Sequence, residues 1–479
     1  MIHTRPRATV LGLALTLAGV SPANAWAQGF GLNEIGTCAE ARGFANTGAP
    51  CHDASSIYWN PAATTSLPGF SIYGGASAIR LLGGFKQDTT SHQYNANVPT
   101  VVTPAVFLNF SNSIGPNKYA LGFGVYVPYG LISQWRTDFP GRFASQRASL
   151  QSIYLQPNLS FEIIPSVLSI GGGPVIGLSS IRLDQAQDLS TFPVPGAPIP
   201  GLTFAHFGIA PGTEAAVATL KATATAPGFN VGIHANVLPV LQVGAHFLSQ
   251  VVFNYKNGTA SFRQVGTGLT VAANNPLGVP AGTPVDALLA SQFQGSGPFT
   301  SQGVSTKITH PYQFQVGIGY TGLSQTTLSL DYAVVGWSAF KTLPINFQGS
   351  AAANSQTILA NYVDSWSIRS GLEHVFGDPV VGFIGRLGFS YAKTPVPRDA
   401  VVPLLPDMNR FNYSAGIGYP LTKNTAVDLT YIHVGTEGRR GLTAQRTTTV
   451  NNNLTYAQLD DGFYTLAANV VSLSLKLGF

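Results

Sequence analysis

The sequence alternates between apolar and polar residues from about residue 70 to its last residue. The final stretch, VVSLSLKLGF (470–479), places the odd-numbered residues from Val471 to Phe479 on one apolar face and the even-numbered residues from Ser472 to Gly478 on the other. A period of two indicates β-strands whose faces meet different environments. The same alternation recurs in LQSIYLQPNLSFEI (150–163), PYQFQVGIGY (311–320), TLSLDY (327–332), SWSIRSGLEH (365–374) and FNYSAGIGY (411–419).

The polar faces of these strands carry few charges. Charged residues make up 9% of the chain, against ~25% in ordinary soluble domains. A soluble sandwich would present Lys and Glu to water, whereas these faces are mostly Gln, Asn, Ser and Gly. Tyr, Phe and Trp gather at strand ends, as in the aromatic girdles of membrane barrels. The pattern therefore predicts an all-β fold, a transmembrane antiparallel β-barrel.

The N-terminal residues have the pattern of a secretory signal peptide. A start containing two arginines precedes an apolar run over residues 10–20, and A-x-A sites end at Ala25 and Ala27. This run is too short for a spanning helix. We expect cleavage after Ala27, so that residues 1–27 are removed and the barrel is placed in a bacterial outer membrane.

Alternating segments predict about 14 strands of a length suited to tilted crossing. Their centres fall near residues 77, 106, 123, 156, 175, 225, 246, 312, 329, 368, 387, 415, 429 and 471. Some connections are tight, at 238–240 and 420–423. Others are long, at 184–216, 255–302, 337–360 and 436–462. Short periplasmic turns and long extracellular loops are the expected asymmetry.

The region before the first strand does not alternate. About forty residues from Gln28 to Leu67 lie in the periplasm as a tail or fold inside the lumen as a plug, and the residues alone leave both placements open. This region holds both cysteines of the chain, Cys38 and Cys51. In an oxidising periplasm we expect a disulfide between them, because the neighbouring ligands of a metal site are lacking.

Several motifs resemble those of one family. GFGLNE (29–34), ARGFANTGAP (41–50) and DASSIYWNPAA (53–63) follow the signal peptide. VYVPYGLISQW (125–135), GRFASQRASLQSIYLQPNLSFEI (141–163), VVGWSAFKTLPINF (334–347) and LLPDMNRFNYSAGIGYPLTKNTAVDLTYIHV (404–434) continue the match in order. The chain resembles the FadL-type outer-membrane transporters of long-chain fatty acids, whose relatives carry toluene and other aromatic hydrocarbons.

The resemblance implies a 14-stranded barrel with an N-terminal hatch over residues 28–67 and a barrel over residues 68–479. It also implies ligand capture by extracellular loops and lateral release through an opening at the third strand. In this chain that strand is KYALGFGVYVPYG (118–130), where Gly122 and Gly124 would ease a bend and Pro128 would interrupt strand pairing. The alternative is that these glycines only make room for the packing of neighbouring side chains.

Candidate substrate-binding residues follow from the charge of a fatty acid. An anionic head group would need a cation in the pocket, and the alternation places Arg369, Arg386 and Lys476 on the inner face. The competing interpretation is that these cations form structural ion pairs in the lumen with Glu162, Asp331, Glu373 or Asp428. A neutral arene would need no cation.

Two further motifs have structural interpretations. Asn60-Pro61-Ala62 is a turn motif on any interpretation, and we expect it to fix the hatch against the barrel wall. Asp407 and Arg410, in PDMNR, are expected to order a loop.

The sequence thus predicts a passive transporter of hydrophobic compounds, with long-chain fatty acids first and aromatic hydrocarbons as the alternative. A general diffusion porin is a more distant alternative, which the hatch-like N-terminus argues against. An outer-membrane lipase is more distant still, because no G-x-S-x-G motif is present and the histidines show no metal spacing. We expect no enzyme activity, no cofactor and no metal site. We also expect no nucleic-acid partner, because the net charge is only +5.

The expected partners are a hydrophobic ligand, the outer-membrane lipid and lipopolysaccharide. The aromatic-terminated last strand predicts recognition by the barrel-assembly machinery. The family resemblance implies a monomer.

Overall fold

The wall of the molecule is a closed antiparallel β-sheet, and the N-terminal part of the chain fills its lumen. The computed structural model of the protein describes residues 29–88, 90–194, 197–295, 297–348, 355–378, 382–441 and 462–479. The predicted signal peptide lies outside these residues. Within the described ranges, none of the helices has the length and apolar character needed to span a membrane.

Within these ranges, twenty strands make up the sheet. In chain order they are β1 (Phe70–Gln87), β2 (Gln93–Asn95), β3 (Val101–Ile114), β4 (Asn117–Gln134), β5 (Arg147–Ile164), β6 (Leu168–Gln187), β7 (Ala216–Leu238), β8 (Leu241–Leu248), β9 (Val251–Gln264), β10 (Gln302–His310), β11 (Gln313–Leu323), β12 (Thr326–Val335), β13 (Thr342–Phe347), β14 (Gln356–Leu359), β15 (Ser365–Phe376), β16 (Phe383–Ala392), β17 (Arg410–Thr422), β18 (Thr425–Thr436), β19 (Arg439–Gly441) and β20 (Gly462–Gly478). The α-helices are α1 (Thr37–Ala41), α2 (Ser56–Trp59) and α3 (Val285–Leu289). Short 3₁₀ helices lie at Pro61–Ser66, Pro140–Phe143, Phe204–Phe207, Ala290–Phe293, Trp337–Ala339 and Arg398–Ala400.

Fourteen strands form the barrel wall, which confirms the predicted fold class. Their order around the wall is β1, β3, β4, β5, β6, β7, β8, β11, β12, β15, β16, β17, β18 and β20. β20 pairs with β1 along its length and closes the barrel. At the seam, the backbone N–H groups of Phe70 and Phe479 each donate to the other residue's carbonyl oxygen, at 3.0 and 2.8 Å.

The two faces of the wall differ as the alternation predicts. In β20, Val471 and Leu473 are 50% and 56% exposed on the outer face, while Ser472 and Ser474 are buried on the inner face. Every wall strand that alternates in this way presents aliphatic and aromatic side chains outward, as a surface in contact with lipid requires. The apolar last strand is therefore explained by lipid on one side and a filled lumen on the other.

Residues 29–67, called the lumen segment below, occupy the space inside the wall. Ile57, Tyr58 and Trp59 of α2 are fully buried. The Thr430 hydroxyl of β18 donates to the Thr37 carbonyl oxygen at 2.9 Å. The lumen segment thus packs on the inner faces of the strands through both apolar and hydrogen-bonded contacts.

Two of the long connections contain strands of their own. β9 runs into the expected loop at 255–302 and pairs with β10, which begins at the end of that loop, and the end of β9 pairs with Ala216–Lys221 of β7. β13 and β14 fold within the expected loop at 337–360 and extend this sheet through β10. The sequence missed these strands because their short apolar stretches are interrupted by Gly, Pro and Asn. The connection at 442–461 lies outside the described residues.

The predicted strand centres agree with the wall except at one point. The centre near 312 falls just before β11, because Pro311 and Tyr312 form the corner between β10 and β11. The short turns at 238–240 and 420–423 lie at the same end of the barrel as the start of β1 and the end of β20. The long connections lie at the other end.

Candidate transport site

The wall is not continuous between its second and third strands. β3 and β4 pair only from Val106–Val125 to Ile114–Asn117. Beyond this point, the Val101–Ala105 part of β3 pairs with β1 alone. The adjoining edge of β4 has no ladder to β3, so a gap opens on the long-loop side of the paired region.

A β-bulge in β4 turns this strand away from β3. Tyr126 stands opposite Tyr154 and Tyr129 stands opposite Ser152, so that Val127 and Pro128 share one partner residue. An extra residue bends the bulged strand, and proline supplies no N–H to the ladder. The bend therefore lies at Pro128 rather than at the glycines earlier in the strand.

The start of the lumen segment covers the inner side of the bent edge. The Leu32 N–H donates to the Pro128 carbonyl oxygen at 2.9 Å, and the Gly130 N–H donates to the Phe30 carbonyl oxygen at 3.0 Å. These bonds satisfy β4 backbone groups that β3 would otherwise pair. The N-terminus of the described chain is thereby fixed beside the gap.

A cavity of about 320 Å³ passes through the gap. Its lining includes the inward-facing residues Thr103 and Ser152 and their outward-facing neighbours Val102 and Ile153. One space is therefore bounded by both faces of the wall. Most of the remaining lining is apolar and comes from β1, β4, β20 and the lumen segment, including Ile79, Leu81, Leu32, Leu131, Leu466 and Val470.

Three ionisable residues line this cavity. Arg410 lies at the inner side, where it bonds Asp407 Oδ1 at 3.2 Å and the Gly29 carbonyl oxygen at 3.4 Å. Glu34, in the lumen segment, accepts the Asn33 N–H at 3.0 Å. Arg147, at the long-loop end of β5, has no carboxylate within 4.0 Å in the described part of the chain. The Nε atoms of both arginines are shielded from solvent without a described hydrogen-bond acceptor.

Burial changes the protonation of the carboxyls in the lumen segment. Loss of hydration raises the pKa of Glu34, against the attraction of Arg410. Burial raises the pKa of Glu40 to about 8, although the hydroxyls of Ser472 and Ser77 donate to this carboxyl. Both groups favour the neutral form near neutral pH more than a solvated glutamate does.

The three predicted substrate cations do not line the cavity. Arg386 bonds Glu373 at 2.6 Å and Asp428 at 2.8 Å, and Lys476 bonds Asp428 at 2.7 Å. These four groups form one network near the short-turn end. Arg369 is held apart from it by Gln315 and lies over the ring of Trp59 at 5.6 Å. The contacts of Arg386 and Lys476 match the ion-pair alternative, whereas the hydrogen bonds of Arg369 are to the neutral side chains of Ser367, Gln315 and Asn33.

Two carboxylates considered from the sequence lie outside this network, and one of them contacts the lumen segment directly. Asp331 Oδ2 accepts the N–H groups of Asn46 and Thr47 at 2.7 and 2.6 Å. Glu162 lies at the short-turn end, where it accepts the Ser166 N–H at 2.7 Å. Neither residue forms an ion pair in the described part of the chain.

The Asn60-Pro61-Ala62 motif lies between the lumen segment and the wall. The Asn60 amide donates to the Thr47 carbonyl oxygen and to the Ile233 carbonyl oxygen of β7, both at 3.0 Å, and its Oδ1 accepts the Ala62 N–H at 3.3 Å. Pro61 begins the 3₁₀ helix that follows.

The other predicted residues also contact the lumen segment. Gly122 and Gly124 lie in the paired part of β4, where the side chain of Ile57 packs against them. Asp407 accepts the Gly29 N–H at 2.7 Å as well as bonding Arg410. Cys38 and Cys51 form a disulfide within the segment.

Two residues of this site were missed from the sequence. Arg147 belongs to the alternating stretch that includes Ile153, and the odd-numbered residues of that stretch face outward. Extending the alternation by three outward positions would have identified Arg147 as a cation on the outer face. Glu34 gave no such signal, because its segment has no periodicity and its placement depends on tertiary contacts.

The sequence of residues 19–479 matches the family described as outer membrane protein transport protein (OMPP1/FadL/TodX). The long-chain fatty acid transport protein of Salmonella typhi is 23% identical over 442 residues, which cover 89% of this chain and 92% of that protein. The protein of the same name from Escherichia coli K12 is 23% identical over 443 residues, with the same shares.

Solved structures share the fold. A Pseudomonas aeruginosa FadL homologue superimposes with a TM-score of 0.73 at 19% identity, over 94% of this chain and 100% of that chain. The Ralstonia pickettii toluene transporter TbuX gives 0.61 at 16% identity, with the same shares. The chain therefore belongs to the FadL/TodX family of outer-membrane transport proteins, and it is a transporter of hydrophobic compounds rather than an enzyme.

Proposed function

We propose that this protein carries long-chain fatty acids passively across the outer membrane barrier and releases them sideways between β3 and β4. The observation that carries the proposal is the cavity lined from both faces of the wall. A ligand in this space is already partly outside the barrel. Release into lipid then requires no passage through the short-turn end.

The energetics favour a sideways exit for an apolar ligand. Each buried CH₂ group gains about 0.8 kcal/mol on leaving water. Passage through an aqueous pore into the periplasm would reverse this gain for the whole tail. Movement from an apolar cavity into the hydrocarbon layer keeps the tail out of water throughout, so no energy source is needed.

An apolar route leads towards the cavity from the long-loop end. A smaller cavity of about 70 Å³ adjoins the large one, and Leu131 and Leu150 line both. Ile308 of β10 and Ile345 of β13 close its other side. We propose that ligands captured by the extracellular loops pass through this smaller cavity.

The size of the large cavity favours an elongated ligand. A cavity of ~150 Å³ is sufficient for benzene, and about 320 Å³ is roughly twice that volume. A single aromatic ring would leave much of the space unfilled, with a corresponding loss of contacts. The similarity to curated fatty acid transport proteins supports the same choice.

A monoaromatic hydrocarbon is the alternative ligand. One observation favours it: the carboxyl of Glu34 lines the inner side of the cavity, where its charged form would repel a fatty-acid anion. A neutral arene would not meet this repulsion. Free diffusion of polar solutes receives no such support, because the lumen segment fills the barrel.

Binding of radiolabelled oleate to the detergent-purified protein, with and without toluene as competitor, tests the proposal. We expect saturable oleate binding that equimolar toluene barely reduces. Absence of oleate binding, with saturable binding of labelled toluene, would transfer the assignment to aromatic hydrocarbons. If neither oleate nor toluene binds and sugars enter liposomes rapidly, the protein would be assigned as a general diffusion porin.

A further inference from the structure

The outer face of β5 changes from apolar to polar as the strand leaves the lipid-facing region. Ile153 is exposed on this face and lines the transport cavity. The next outward positions towards the long-loop end are Gln151, Ser149 and Arg147, and all three line the same cavity. The six residue steps from Ile153 to Arg147 span about 20 Å along the strand.

Arg147 is the surplus cation of a small charged group. Asp184 of β6 stands opposite Arg147 in the strand register. Both oxygens of Asp184 accept from Arg182 Nε at 3.0 Å, and within the described ranges Arg147 has no ion-pair partner. Its Nε is shielded from solvent and has no described hydrogen-bond acceptor. Asp184 thus bonds Arg182 and not Arg147, the residue opposite it in the register, which leaves a donor and a positive charge beside the cavity.

We propose that Arg147 is the exit-side binding site for the anionic head group of the transported amphiphile. The inference rests on the proposed function. While the tail passes between Val102 and Ile153 into lipid, the carboxylate stays at Arg147, above the apolar part of the outer face. The charged end therefore never crosses the apolar gap, where an unpaired carboxylate would be strongly disfavoured.

The same geometry explains why Arg410 is not this site. Arg410 lies at the inner side of the cavity, and Asp407 already neutralises its charge. Glu34 also lines the cavity, so the inner side offers an anion no net attraction. A fatty acid would be oriented with its head towards Arg147, the orientation that it needs in the outer leaflet.

Uptake of oleate and of oleyl alcohol by liposomes containing Arg147→Gln protein tests the inference. The alcohol has a similar tail without the charge. We expect the substitution to lower the initial rate for oleate about tenfold, the effect of one charge-assisted hydrogen bond, and to leave the rate for the alcohol within about twofold. Arg147→Lys should retain most oleate transport. Arg136→Gln, which removes an exposed cation paired with Asp138, is the surface-charge control.

The outcomes separate this inference from the proposed function. Equal rates of oleate transport by Arg147→Gln and wild-type protein would overturn the inference and leave the function standing. Equal losses for oleate and the alcohol would overturn it too, because they would indicate a structural role. An effect seen only in liposomes containing anionic lipid would assign Arg147 to a lipid head group instead. Failure of wild-type protein to move oleate would refute the proposed function itself.

Discussion

The lumen segment meets the two sides of the barrel in different ways. Towards β12, β15, β16 and β18 it packs on buried charge: Asp331 accepts two of its N–H groups, and Glu373 of the Arg386 network lies 3.7 Å from the Cys38 sulfur. Towards β4 it is held by backbone bonds at Leu32 and Gly130 beside an apolar cavity. One side fixes the segment, and the other leaves space for a ligand without breaking a buried ion pair.

The closest approach on the fixed side depends on glycine. A Cβ atom at Gly388 of β16 would fall on the backbone nitrogen of Gly43, so Gly388→Val would prevent the lumen segment from seating. We expect the largest effect here, a destabilisation of about 3 kcal/mol and entry of sugars into liposomes. Gly74→Val is the matched control, because a Cβ atom there meets no atom within 4 Å. Equal leakage of sugars through both variants would contradict the fixed-side assignment.

Removal of the central cation should have a comparable effect on stability. Arg386→Met leaves Glu373 without its bonded cation and leaves Asp428 only Lys476. We expect a loss of about 3 kcal/mol, the lower end of the cost of breaking a buried pair, measured as a lower midpoint of thermal unfolding in detergent. The exposed pair in Arg136→Met should cost less than about 0.5 kcal/mol. Similar midpoints for the two variants would show that the network does not hold the segment.

The sequence predicted the wall better than the site. The alternation at Val471 and Leu473 reflects lipid on one face of the strand and the lumen on the other, and it can be read from the sequence directly. The partners of Arg386 do not follow from alternation, because several inward charges share one lumen. The position of Glu34 was less accessible still, since it depends on where a segment without periodicity packs. Pro128 was identified from the sequence as an interruption of strand pairing, but the bend was expected at Gly122 and Gly124, because the bulge that moves it to Pro128 follows only from the register with β5.

The buried carboxyl of Glu40 should make stability depend on pH. Its folded pKa, about 8, lies above the value of 4.5 for an unperturbed glutamate. The folded state therefore binds more protons between these values, and the free energy of unfolding falls as the pH rises from about 4.5 to 8. Glu40→Gln should flatten this dependence in unfolding midpoints measured at pH 5 and pH 8. A wild-type midpoint that rises over this interval, unchanged by Glu40→Gln, would contradict the assignment.

The smallest effect on stability is expected beside the cavity. Leu131 is only partly buried and already borders both cavities. Leu131→Ala should cost less than about 2 kcal/mol, below the usual cost of a core leucine. By joining the cavities it should also raise the initial rate of oleate uptake. A loss of more than about 4 kcal/mol would mean that this side is as tightly packed as the other.

Deletion of Pro128 tests the central claim most directly. Removing one of the two residues opposite Ile153 takes away the bulge, so that β4 can pair with β3 and close the gap. Pro128→Ala keeps the residue count and serves as the control. The account predicts that the deletion abolishes uptake of labelled oleate by cells while the protein still reaches the outer membrane, and that Pro128→Ala retains uptake. Normal uptake by the deletion variant would contradict exit through the wall.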